Sequence, residues 1–376
     1  MRNPFILGYI SPEDSFCDRE KEIKDLSRHA VNCTSVVIYS PRRYGKTSLI
    51  KKVMQDVSSK RFMAIYVDLF SVTNKDDFIQ KFLGAVVRSI GKDITSASFL
   101  TKLRKLFSRI TPSIDIKPDG FSISAKYDTG TGFNYLLEDI FDGINKYFNS
   151  KKMKGLIVFD EFQEITELKE SKHVEGVLHE YIQSQQNLSF FFIGSRRRVL
   201  QAMFSDQNRP FFKMAFNYPI DTILRQKFTK YIQDLFQHTK KGCPVDVSES
   251  LYDYVDGHTG YVQKLAHILW DITDAKASMD SLRIAQKDLL EMESVDFQGV
   301  FGSLSRMEKR LVMALAEEPA DKPYSKDYLA THKFSLGGVQ SSLKSLLNKD
   351  IVEVNKNNIY RLTDPLFARW CRRERL

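Results

Sequence analysis

The sequence predicts an α/β protein: a parallel sheet with helices on both faces, then a helical subdomain and a small C-terminal domain. Two observations carry this expectation. Apolar runs at residues 35–39, 61–69, 154–161 and 188–194 alternate with amphipathic helical patterns, which is the rhythm of a covered parallel sheet. From residue 222 onward the pattern is helical, and it ends in a three-helix, one-hairpin segment.

Taken in order, residues 16–26 read as a helix with Asp18 as N-cap and Ile23 and Leu26 as apolar positions. A segment just ahead of the first strand can pack over an adenine, and Arg19 would then reach phosphates or simply pair with Glu20 or Glu22. The first apolar run leads into Ser40-Pro41-Arg42-Arg43-Tyr44-Gly45-Lys46-Thr47-Ser48 and a helical pattern at 49–54. Strand, loop and helix in that order describe a phosphate-binding loop, whose backbone N–H groups and helix N-terminus face an anion. Lys46 is expected to reach the β- and γ-phosphates, and the Thr47 hydroxyl to bind Mg²⁺. The usual loop opens on Gly. Here Ser40 stands in that place, and serine makes the turn with a negative φ. The plainer alternative is a basic loop before an amphipathic helix.

Residues 61–69 read as a buried strand and 76–91 as a helix with Phe78, Ile79, Phe82, Val86 and Ile90 apolar. Residues 92–132 break the rhythm. A basic helical stretch precedes two alternating runs joined at Lys117-Pro118-Asp119-Gly120, a hairpin signal. This is an expected insertion, either a partner-binding surface or a solvated hairpin. A strong helical pattern at 133–149 delivers the chain into Leu156-Ile157-Val158-Phe159-Asp160-Glu161. Such a strand would place Asp160 beside the metal and Glu161 toward a water that attacks the γ-phosphate. The next strand ends at Gly194-Ser195, where Ser195 would bond the phosphate or water, or cap the following helix. Among the cations that follow, Arg196, Arg197, Arg198 and Arg209, one is a candidate arginine finger, with Arg209 singled out.

Helices expected at 222–240, 248–255 and 261–273 form a lid, and His258 at the entry to the last is either a nucleotide contact or a turn residue. Helices at 305–316, 325–332 and 336–350, followed by a hairpin at 351–362, make a winged helix. Its third helix would offer Gln340, Ser341, Lys344, Ser345 and Asn348 to a nucleic-acid groove, with Lys356 on the wing and Arg369, Arg372, Arg373 and Arg375 near phosphates. A structural or protein-docking role is the other reading. The expected domains are therefore 1–220, 221–300 and 301–376.

Composition narrows the class. The 376 residues are 42% hydrophobic and 27% charged, which suits a globular protein of two or three domains. No apolar run reaches a membrane span, and the start reads as no secretory signal, so a cytoplasmic protein without membrane partners is expected. Cys17, Cys33, Cys243 and Cys371 show no metal-ligand spacing and read as reduced thiols. The net charge is +9, and residues 305–376 hold 14 Lys and Arg against 9 Asp and Glu, which favours an acidic partner such as DNA.

Phe16 to Glu20, the phosphate loop, Asp160-Glu161 and Gly194-Ser195 together resemble the archaeal-type ATPase family, a member of the STAND P-loop ATPases similar in layout to archaeal origin-recognition proteins. The resemblance implies a P-loop NTPase parallel sheet of AAA+/ASCE type with a helical lid and a C-terminal winged-helix domain. It implies ATP and Mg²⁺ as ligands, Phe16 and Arg19 in the motif ahead of the first strand, and residues 257–263 as a helix entry approaching the nucleotide. Thr259 stands where that family has Pro, and Met214 where it often has Arg. The partner would be DNA, a protein, or a second copy of the chain.

Overall fold

The computed structural model describes residues 2–8, 16–91, 97–117, 120–128 and 130–374. Two compact units emerge: a sheet unit of Glu20–Ser40 and Lys46–Ile220, and a helical unit of Met1–Arg19, Pro41–Gly45 and Asp221–Leu376. No helix among the described residues is long and apolar enough to cross a membrane.

In the sheet unit the elements run α1 (Glu20–Val31), β1 (Val36–Tyr39), α2 (Lys46–Val57), β2 (Phe62–Asp68), α3 (Lys75–Ile90), α4 (Ala97–Leu106), β3 (Thr111–Lys117), β4 (Gly120–Lys126), α5 (Phe133–Lys151), β5 (Lys154–Asp160), α6 (Ser171–Gln183), β6 (Leu188–Gly194), α7 (Arg197–Ser205) and β7 (Phe216–Pro219). Five parallel strands form one sheet in the order β2-β5-β6-β1-β7. Leu156–Phe159 and Phe190–Ile193 are wholly buried, because strands covered on both faces have no polar side to show. The register sets Tyr39 opposite Gly194 and Asp68 opposite Asp160, so the loop after β1 opens at the same sheet edge as the acid-tipped end of β5. One strand, β6, lies between them.

Three local differences from the sequence reading have physical causes. The first helix begins at Glu20 rather than being capped by Asp18: Asp18 and Arg19 both have positive φ, and the Asp18 carboxylate accepts from Lys227 at 2.6 Å. The predicted hairpin forms, but as a separate two-stranded sheet of β3 and β4 rather than on the five-stranded one; Pro118 and Asp119 lie outside the described residues. Its root is fixed by buried Asp139 of α5, whose carboxylate accepts from the N–H groups of Ser108, Arg109 and Ile110. The third difference is β7, an edge strand that no apolar run announced.

The helical unit contains α8 (Arg225–His238), α9 (Val245–Tyr254), α10 (Thr259–Ile272), α11 (Met279–Gly302), α12 (Arg306–Glu317), α13 (Lys326–His332), α14 (Leu336–Asn348), β8 (Val352–Val354), β9 (Tyr360–Leu362) and α15 (Pro365–Glu374). Helices α12–α14 and the β8–β9 hairpin make the expected winged helix. The long α11, started by a Ser278 capping box, and the terminal α15 were not anticipated. One apolar core runs from Phe5 through Phe228 and Leu289 to Leu343 and Trp370. Phe297 and Phe301 of α11 pack on Trp370 of α15, and the Trp370 indole donates to Ser294 at 2.9 Å.

Within the winged helix, buried Glu308 closes a capping box with Ser305 and accepts from Lys349 at 2.8 Å. Burial opposes its charge, but the Lys349 ammonium and the Ser305 and Ser345 donors outweigh it and pull the carboxyl down from 4.5 to about 2. A depressed carboxyl contributes stability that is complete above its unfolded value and is lost as pH falls through the folded one. Glu308→Gln is therefore expected to destabilise the protein at pH 7 by about 1–2 kcal/mol, since Lys349 is partly exposed. In thermal melts across pH, the deficit should shrink from about pH 5 down to about pH 2.

Candidate functional site

After β1 the chain turns through residues 40–45 into α2, with Arg43 and Gly45 at positive φ. Lys46, the first residue of α2, is buried, and its ammonium donates back to the Ser40 carbonyl at 2.9 Å and to Ser40 Oγ at 3.2 Å. Ser40, where the usual loop has Gly, thus supplies two of the oxygens that hold the lysine. The N–H groups at the start of α2 and this buried cation are what an anion at the loop would meet.

Asp160, at the tip of β5, is buried and accepts from Thr47 Oγ1 at 3.1 Å, from the Tyr66 hydroxyl and, at Oδ1, from the Glu161 N–H at 3.0 Å. Burial raises its carboxyl above the usual range; the Tyr66 and Thr47 bonds pull it back, and the Glu161 charge adds to the rise. Tyr66, on the neighbouring edge strand β2, was missed in the sequence. Burial and the Asp160 charge push its phenol up, so it stays protonated and donates. Its other neighbour is Lys51, whose ammonium sits 3.3 Å from the ring centroid. Thr47 Oγ1 and an Asp160 oxygen thus converge as two hard oxygen donors. They fit Mg²⁺.

Glu161 follows in the left-handed conformation, φ 52° and ψ 44°, and begins a 3-10 turn, Phe162–Glu167. Phe162 plugs this turn into the core, 4.6 Å from Phe192 and 5.4 Å from Phe211 between centroids. The Glu161 carboxylate is thereby directed at the tip of β6: Oε2 accepts from Ser195 Oγ at 2.9 Å and from Ser195 N at 3.3 Å. Ser195 does not cap α7, where Arg196 is the N-cap residue. The Gln163 amide also donates to Glu161, at 2.6 Å, and this residue too was missed.

Arg209, the finger candidate, lies elsewhere: its guanidinium grips buried Glu175 of α6 with two nitrogens, Nε at 3.1 Å. A buried carboxylate needs that cation, so in this arrangement the fork is committed to holding α6. Arg196 pairs with Glu167 at 2.8 Å.

The remaining loop residues belong to the helical unit. Arg42 is exposed, Pro41 and Tyr44 are half-buried, and Arg43 bonds buried Glu293 of α11 at 3.2 Å. Glu293 also pairs with Lys264 of α10. His258 is the N-cap of α10, its Nδ1 accepting from Tyr261 N, and its ring meets Tyr44 edge-on at 4.9 Å. Burial keeps its imidazole below the ordinary value and therefore neutral. Gly260 is required here by close approach, since a Cβ would lie 2.7 Å from Arg43 Cβ and 3.0 Å from the Arg43 carbonyl. Phe16 is half-buried, and buried Arg19 donates to the Asp221 carbonyl at 2.7 Å.

On the winged helix, Gln340, Ser341, Lys344 and Asn348 of α14 are exposed. Ser345 is instead turned inward to Glu308, and Arg369 is spent on Tyr254, donating to its carbonyl at 2.6 Å and covering its ring at 4.2 Å. Lys356 is exposed and reaches Asp221 at 3.3 Å; Arg372 is exposed, Arg373 is half-buried, and Arg375 lies outside the described residues.

Strand order, the loop after β1 and the acid pair at the tip of β5 define a P-loop ATPase of the AAA+ layout carrying a winged helix. The comparisons agree. A family described as an ATPase domain predominantly from Archaea matches residues 16–265, and one described as a probable winged helix domain matches residues 295–373. The chain belongs to that archaeal ATPase family. No curated protein matches the sequence. Among solved structures, a Walker-type ATPase of Pyrococcus abyssi is similar at 17% identity and a TM-score of 0.71, over 98% of this chain and 99% of its own. The ORC2 protein of Aeropyrum pernix, solved with ADPNP and ADP, is similar at 17% identity and 0.60, over 100% and 98%. The ORC1 protein of Aeropyrum pernix in complex with DNA is similar at 13% identity and 0.50, over 96% and 94%.

Asp160 illustrates a site whose charge opposes the fold. Asp160→Asn removes a buried carboxylate held by neutral donors, so its melting temperature without metal is expected to rise by about 2–4 °C. The same variant should lose Mg²⁺-dependent nucleotide binding in calorimetry.

Proposed function

We propose that this chain binds ATP with Mg²⁺ and hydrolyses it, and that the nucleotide state governs what the winged helix contacts. The observation that carries the reading is the convergence of Lys46, the Thr47–Asp160 pair and the Glu161–Ser195 pair at one end of the parallel sheet. Lys46 exchanges the Ser40 oxygens for phosphate oxygens. Thr47 and Asp160 would hold Mg²⁺, which when bound supplies charge neutralisation at the phosphates. Glu161 accepts the proton of the attacking water, and Ser195 orients that carboxylate. Positioning and charge stabilisation are the whole of the catalysis asked of the protein.

The helical unit offers a route from the loop to the winged helix. Arg43 lies 5.9 Å from the Tyr261 ring centroid, and the Tyr261 hydroxyl donates to Asp364 at 2.7 Å. Asp364 in turn caps α15, accepting from the N–H groups of Leu366 and Phe367. A ligand that moves the loop tip acts on this chain of contacts, and so on the seat of the winged helix. The exposed face of α14, the basic C-terminal residues and the similarity to a DNA-bound ORC1 structure favour DNA as the partner. A protein partner is the second reading, favoured by the inward turn of Ser345 and Arg369, which removes two of the expected polar contacts.

Two experiments test this. Lys46→Ala should abolish ATP binding in calorimetry, while Glu161→Gln keeps binding within about twofold and loses at least about 100-fold in phosphate release. Equal turnover by wild type and Glu161→Gln would remove Glu161 from the reaction. Tyr261→Phe keeps the ring and drops the Asp364 bond; it should leave ATP affinity unchanged while flattening the difference in DNA retardation between nucleotide-free and ATP-bound protein. Absence of salt-sensitive retardation in the wild type would assign the winged helix to a protein partner.

A further inference from the structure

We infer that Gln163 is a positioning residue for hydrolysis: it clamps one oxygen of Glu161 and leaves the other to take the proton of the attacking water. The inference rests on the assignment of Glu161 as the proton acceptor. Three donors, Gln163 Nε2 at 2.6 Å, Ser195 Oγ at 2.9 Å and Ser195 N at 3.3 Å, all fall on Glu161 Oε2. None of these bonds goes to Oε1. A carboxylate held by a single oxygen from two elements cannot rotate about its last torsion without breaking all three, so the direction of Oε1 is fixed in advance of substrate.

The setting of Gln163 shows that its amide serves this contact rather than its own solvation. The side chain is 1% exposed, and its Oε1 is buried without a hydrogen-bond partner. A buried amide oxygen left unpaired is a cost that an apolar side chain of the same length would not carry. The amide cannot be turned to relieve it, because Nε2 faces two carboxylates, Glu161 and, at 3.2 Å, Glu164, and the opposite orientation would set oxygen against oxygen. Room for the amide exists only because β6 ends in glycine: a Cβ on Gly194 would stand 2.0 Å from Gln163 Oε1. The residue before Ser195 and the residue two after Glu161 are therefore fitted to each other.

The test uses Gln163→Met, which keeps length and removes the N–H donors, with Gln163→Leu as a second variant should Met misfold, and Glu161→Gln as comparator. The expected result is a fall of at least about tenfold in kcat with KM for ATP unchanged within about twofold, and a melting temperature no lower than wild type. Wild-type kcat in Gln163→Met overturns the inference, and a raised kcat does so too, because the clamp would then hold Glu161 away from the water. If Glu161→Gln turns over normally, the underlying assignment fails and the clamp has nothing to position. If Glu161→Gln is inactive while Gln163→Met is normal, only the present inference falls. A readout independent of turnover is the Gln163 side-chain amide in selectively ¹⁵N-glutamine-labelled protein, identified by its loss in Gln163→Met. Slow solvent exchange of these protons, abolished in Glu161→Gln, is expected; rapid exchange in the wild type overturns the clamp.

Discussion

The arrangement depends on a carboxylate kept where water scarcely reaches it. Asp160 is buried at the tip of a central strand and is held by a threonine from the loop helix and a tyrosine from the edge strand, both neutral. Such a group destabilises the folded chain on its own and becomes favourable only when a cation joins it. The threonine bond also sets the first turn of α2 against β5, and this fixes where Lys46 starts. Fold and site are thus coupled through a single unfavourable burial, which the phenylalanine-rich core beneath the sheet is large enough to sustain.

A second constraint lies in the helical unit. The loop tip carries Arg43 at positive φ, and it is held there by a buried glutamate, a tyrosine ring and a glycine that leaves space for its backbone. Ser40 and Lys46 are the covalent neighbours of this five-residue piece. Strain at a non-glycine residue persists only where its surroundings over-determine it, and here α10 and α11 do so. The loop is therefore a part of the helical unit in packing while its two ends belong to the sheet.

Much of this was legible in the sequence, for a definite reason. Parallel strands buried on both faces read as unbroken apolar runs, so a polar residue at the tip, Asp160 or Ser195, stands out against them. The loop was legible because its residue order reflects local geometry. What escaped notice depends on tertiary pairing. Tyr66 looks like one more strand aromatic until β2 is set beside β5, and Gln163 sits in a short turn with no periodic signal. Glu293 lies in a helix full of charges, where only contact with the loop singles it out. The strand β7 is four mostly exposed residues ending in proline, too short and polar for alternation to register. Arg209 and Arg369 show the converse, cations whose sequence context suggested phosphate and whose partners in the fold are a buried acid and a tyrosine.

The distribution of indoles gives this chain a built-in optical asymmetry. Its two tryptophans, Trp270 and Trp370, both lie in the helical unit, one on a lysine-covered face of α10 and the other wedged among the aromatic rings of α11 and α15. Emission excited at the red edge of the near ultraviolet therefore comes from that unit alone, while the sheet with its many phenylalanines stays dark. A spectral change on adding a nucleotide would be a signal from the helical unit, obtained without any label.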